Sequence, residues 1–190
     1  MTLADIMAAT GAVAWPPHAH AELAQGAFTA GFVHPLSGLD HVLAMVTVGV
    51  WSVVAGGRAL WVWPSAFVAT MLAGFVVATA GVQLPWVAAA ISASIVVLGL
   101  LVALAVRAPV WVGAVVIALF AFFHGHAHGT EVTSANLLGF GAGFALSTAA
   151  LHAAGIAVGM FAEGRIGKLA VRALGALTLV GGAVYIGGLA

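Results

Sequence analysis

His34-Pro35-Leu36-Ser37-Gly38-Leu39-Asp40-His41 stands directly before the apolar run Val42–Val50. Three candidate metal ligands, His34, Asp40 and His41, fall within this octet, and Pro35 and Gly38 interrupt regular structure between them. The polar groups are therefore expected on a bent approach to a helix. Charge is scarce, with five Lys or Arg and five Asp or Glu among 190 residues, so an Asp beside a His at the mouth of an apolar segment calls for a reason. A second cluster, His124-Gly125-His126-Ala127-His128-Gly129-Thr130-Glu131, is its natural partner. The fold is expected to bring the two together.

Composition decides the class. Hydrophobic residues make up 64% of the chain and charged residues 5%, with a mean hydropathy of +1.21. A soluble domain carries about 25% charged residues, so this chain cannot cover a water-facing surface. The expected fold is an all-α polytopic membrane protein. Its length allows about six transmembrane helices of roughly 20 residues, plus a short N-terminal half-span or interfacial helix. Zero formal net charge, with no basic patch, excludes nucleic acid as a partner class. Cysteine is absent, so a metal would be held by His, carboxylate, Met or backbone oxygen.

Residues 1–20 read as an N-terminal segment, either a weak signal or a tail. Ala12-Val13-Ala14 resembles a cleavage site, but Asp5 stands where a signal peptide carries positive charge. His18 and His20 follow Pro16-Pro17, as an outer capture site or simply as part of a tail. Residues 21–190 read as a single transmembrane domain. Ala21–Val33 is a short apolar stretch, and six segments follow at 39–56, 60–81, 85–106, 109–128, 135–161 and 168–189. The intervening breaks carry Gly, Pro and polar residues. Arg58, Arg107, Arg165, Lys168 and Arg172 fall at the first, third and fifth connections. Because cytoplasmic loops carry the excess of Lys and Arg, both termini and both His clusters are expected outside.

At 100° per residue, His124 and His128 share a helix face, Glu131 returns to it, and His126 points nearly opposite. Two imidazoles one turn apart plus a carboxylate suit a divalent first-row metal. The bland alternative is a set of interfacial histidines meeting headgroups and water. Asp40 admits three roles: metal ligand, support fixing an imidazole tautomer, or helix N-cap. Met45, one turn after His41, is either a thioether ligand or packing. His152, deep in the fifth segment, is either a step on a path or a core histidine bonded to backbone. Gly125 and Gly129, Gly139, Gly141 and Gly143, and Gly155 with Gly159 offer close helix packing, within the chain or in a homo-oligomer. The tryptophans near segment ends read as aromatic belts.

The octet resembles the HPxxGxDH signature of the HupE/UreJ family of nickel and cobalt permeases, and residues 124–131 resemble that family's HGxAHGxE motif. The likeness runs from about residue 24 onward and includes Leu98-Gly99-Leu100 and Leu151-His152-Ala153-Ala154-Gly155. It implies inward secondary transport of Ni²⁺, or Co²⁺, in a bacterial inner membrane. It also implies His34, Asp40, His41, His124, His128 and Glu131 as the important polar positions. Members usually start with a clear signal peptide and often carry a Glu where this chain has Ala88.

Ligand chemistry alone leaves Cu²⁺ and Zn²⁺ open as well. No nucleotide-binding motif is visible. A reading from another class uses the same residues: an intramembrane zinc hydrolase, with zinc on three protein ligands and Glu131 or Asp40 as general base. It predicts a lateral opening beside the metal, whereas transport predicts polar groups continuing inward. His152 is the one candidate for such a group in the sequence. A third reading is a metal sensor or storage subunit.

Overall fold

The computed structural model describes residues 26–132, 136–162 and 164–186. His18, His20, Trp15 and the rest of the 1–20 segment lie outside them. The described residues form seven helices: α1 Ala27–Ser37, α2 Leu39–Ala55, α3 Ala59–Thr79, α4 Val87–Ala103, α5 Val110–Glu131, α6 Leu137–Phe161 and α7 Gly164–Ile186.

Helices α3, α5, α6 and, over Ile166–Val184, α7 are long and apolar enough to cross a membrane. The α1–α2 pair passes the same test together but is bent by 81°. Here the fold is coarser than the expected six full spans. Helices α2 and α4 have 17 residues each, about 25 Å at 1.5 Å per residue against a hydrocarbon core of about 30 Å. Helix α5 continues past the expected 128 to Glu131, so the entire second cluster is helical.

The break inside the octet has a local cause. Pro35 lacks an N–H, and Ser37 Oγ donates to the His34 carbonyl at 2.7 Å, closing the last turn of α1. Gly38 is extended (φ −103°, ψ 120°) and precedes α2 without a side-chain cap. Asp40 does not cap α2; it lies in the first turn, where a negative charge suits the helix dipole. At the start of α6, the Asn136 side chain accepts from the Gly139 amide at 2.9 Å.

Small residues set the packing, as membrane helices require when neighbouring side chains and lipid tails are equally apolar. A Cβ on Gly125 would run into the Met71 carbonyl, and one on Gly74 into that of Phe122, so α3 and α5 touch backbone to backbone. Gly49 and Gly155 do the same for α2 and α6, and Gly31 and Gly143 for α1 and α6. Thr47 and Thr178 hydroxyls meet at 3.2 Å between α2 and α7. These glycine faces are occupied within the chain, so self-association would have to use other surfaces.

Two tryptophans depart from the belt expectation. Trp61, Trp86 and Trp111 are exposed near helix ends, but Trp51 and Trp63 are buried. Their rings lie 4.3 Å apart, and their Nε1–H groups donate to the Val106 and Val110 carbonyls around Pro109. A buried indole needs an acceptor, and the α4–α5 connection supplies one to each. Arg172 Nε donates at 2.8 Å to the Ala103 carbonyl, and Arg58 sits 5.8 Å from the Trp61 ring. Basic residues therefore gather where α2, α4 and α6 end. The His clusters gather at the opposite ends of these helices.

Candidate metal site

The break at Gly38 carries His34 on α1 and His41 on α2 towards the same point, and α5 presents His124 and His128 to it. The rings form a nest: His34 and His128 are 4.6 Å apart between centroids, His41 and His128 4.4 Å, and His41 and His124 5.5 Å. Phe140 and Phe144 of α6 wall it, at 5.9 Å from His34 and 4.5 Å from His128.

Hydrogen bonds fix the tautomers. His41 Nδ1–H donates to Asp40 Oδ1 at 2.8 Å, which leaves the His41 Nε2 lone pair for the site. Of the three roles open to Asp40, this geometry is that of support to an imidazole. His41 Nε2 faces His128 Nε2 at 2.6 Å, so His128 donates there. A metal bonded to both nitrogens at about 2.1 Å would space them roughly 3.0–3.4 Å apart. Less than an ångström of opening is needed, together with a shift of the His128 proton from Nε2 to Nδ1.

His124 is set the same way by a residue the sequence did not single out. Ser94 Oγ donates its one proton to the Ile91 carbonyl at 2.6 Å, so it accepts from His124 Nε2–H at 3.0 Å. His124 Nδ1 is left as a buried lone pair with no hydrogen-bond partner. The available signal was that Ser92 and Ser94 are the polar residues of an otherwise apolar α4.

A shallower constellation joins the first. His34 Nε2 lies 3.7 Å and His128 Nδ1 3.9 Å from Glu131 Oε2, and the three groups' ligand atoms lie within 4.8 Å of one another. His128 thus offers Nδ1 to an outer triad and Nε2 to an inner pair. One imidazole cannot give both nitrogens to a single ion, so six candidate residues make two adjoining positions. Glu131 is 61% exposed in its side chain and His34 34%, while His128 is 1% exposed; the triad is the half that meets solvent.

The other candidates fall elsewhere. His126 turns away and donates from Nε2 to the Val82 carbonyl at 2.8 Å, tying α5 to the α3–α4 connection. Met45 is fully buried in the apolar core. His152 is buried on α6, its ring 4.8 Å from Phe67.

Residues 3–185 match the family described as HupE / UreJ protein. Protein HupE of Rhizobium leguminosarum bv. viciae is 44% identical over 191 residues, covering 98% of this chain and all of that protein. No solved structure matches. A match of this extent, on an apolar helical chain with two histidine clusters at one end, leaves one assignment: this membrane protein belongs to the HupE/UreJ family.

Proposed function

We propose that the chain is a permease that takes a divalent transition metal, Ni²⁺ or alternatively Co²⁺, from outside a bacterial inner membrane and passes it to the cytoplasm. One observation carries the reading. Two buried imidazole nitrogens have no hydrogen-bond partner, His128 Nδ1 beside the exposed Glu131 and His124 Nδ1 one turn further in along α5. A buried polar atom left unpaired needs an explanation, and a passing cation supplies one for each nitrogen in turn.

In this reading α2 to α7 are the six spans, α1 is the half-span, and both termini lie outside with the His clusters. Glu131, His34 and His128 Nδ1 capture the ion. His128 then changes tautomer, its proton passing from Nε2 to the vacated Nδ1 beside Glu131, and the ion moves to the pair formed with His41, whose tautomer Asp40 holds. Protons and metal compete for the same lone pairs, so affinity falls as pH is lowered. The hydrolase alternative needs its lateral opening beside the imidazole nest. Of two crevices among the described residues, one between α3 and α6 adjoins His152 and a smaller one adjoins Gly129 and Thr130, and neither is lined by His34, His41, His124 or His128.

Uptake of Ni²⁺, Co²⁺, Cu²⁺ and Zn²⁺ into proteoliposomes tests the proposal, with His41→Ala and His128→Ala as controls. Transport of Ni²⁺ or Co²⁺ that both substitutions abolish is the expected result. Stoichiometric binding with no metal crossing would sink it.

A further inference from the structure

The imidazole nest does not reach across the bundle. His124 lies seven residues from the Glu131 end of α5, about 10 Å in, and the other end of the helix is about 20 Å further on. One further histidine occupies that interval. His152 is 15 residues into α6 and nine from its end, about 22 Å and 13 Å along the axis respectively.

His152 is 1% exposed, and neither of its ring nitrogens has a hydrogen-bond partner. One of the two always carries a hydrogen, so the ring buries both a donor and an acceptor without compensation. A leucine in the same place would carry no such cost. Packing therefore does not account for an imidazole here. The backbone beneath it is held firmly, because Gly49 of α2 sits against the His152 carbonyl.

Phe67 of α3 stands between this ring and the nest. Its ring is 4.8 Å from His152 and 5.8 Å from His124, with no polar atom of its own. His152 and Ser65 are the polar residues lining a crevice of about 530 Å³ between α3 and α6, otherwise walled by apolar side chains such as Val68, Leu72 and Ile156.

We infer that His152 is a second, deeper ligand station for the divalent cation, separated from His124 by the Phe67 ring and open to the α3–α6 crevice. The inference rests on the permease reading and extends it past the bundle centre. An ion at His124 exchanges one nitrogen for another when Phe67 swings aside. The closed ring keeps the two stations from being joined by continuous water.

The chain has no cysteine, so His152→Cys introduces a single thiolate. The full-length protein in detergent, titrated with Co²⁺, reports directly. A thiolate-to-cobalt charge-transfer band is expected in His152→Cys and not in wild type or in Thr178→Cys, a buried site off the path. In Phe67→Leu/His152→Cys the band should form faster. In proteoliposomes, His152→Ala should lose at least tenfold in Co²⁺ uptake while binding at the nest stays within twofold. The inference is overturned if His152→Cys binds Co²⁺ at the nest without the band, or if His152→Ala transports at the wild-type rate. Wild-type protein that moves no metal would refute the permease reading instead, and the band alone would then decide the station.

Discussion

The two ends of the bundle handle buried polar atoms in opposite ways. Around Trp51 and Trp63, each indole N–H has a carbonyl acceptor, and Arg172 reaches the Ala103 backbone. Around His124 and His128, lone pairs are buried and left open. The first arrangement spends its polar groups on holding helices together. The second withholds them from the fold, as the proposed passage of a cation requires. Satisfied and unsatisfied polar atoms are thus a map of stability and of chemistry in one small protein.

That contrast can be broken experimentally, and His128→Ala should do so most strongly. It removes a nitrogen from both positions at once, so calorimetric titration should show at least a 100-fold loss of metal affinity, about 2.7 kcal/mol. The unfolding temperature of the metal-free protein should fall only as far as the cavity and the lost bond to His41 require. Asp40→Asn comes next. Its side chain can still meet His41 Nδ1 but no longer favours the N–H tautomer, and affinity should drop 10- to 100-fold. An unchanged affinity would show that Asp40 merely balances the helix dipole.

At the other end the effects should invert. Trp63→Phe leaves the Val110 carbonyl without its donor, and chemical denaturation should show a loss of about 1–2 kcal/mol with metal affinity within twofold of wild type. A large change in affinity would mean that the ends are coupled. His126→Gln is the smallest perturbation and the sharpest control. It lies between two candidate ligands in sequence, yet its bond to Val82 marks it as structural. Uptake should stay within twofold, and stability should fall by less than about 1 kcal/mol.

Much of this was legible in the residues. Apolar runs gave the helices to within a few positions, because a membrane helix has to be apolar over most of its length. The i, i+4 spacing gave the shared face of His124 and His128 and turned His126 away. Other features depended on contacts between distant segments. Nothing in the octet distinguishes Asp40 as ligand, cap or support, since that is decided by which atom of His41 it meets. Ser94 matters through a partner 30 residues away, and Phe67 through rings on two other helices. The buried Trp51–Trp63 pair escaped notice because a tryptophan near a span end has the same sequence signature whether it faces headgroups or a neighbouring helix.

The docking of α1 has a consequence for the order of manufacture. Helix α1 lies against α6, with Gly31 on the Phe140 carbonyl and Gly143 on that of Phe28. More than a hundred residues of chain separate these surfaces, roughly 5 to 20 seconds of synthesis. Until α6 has emerged and inserted, His34 has nothing to hold it over His128. A ribosome that stalls early therefore leaves a fragment with scattered imidazoles and no completed nest.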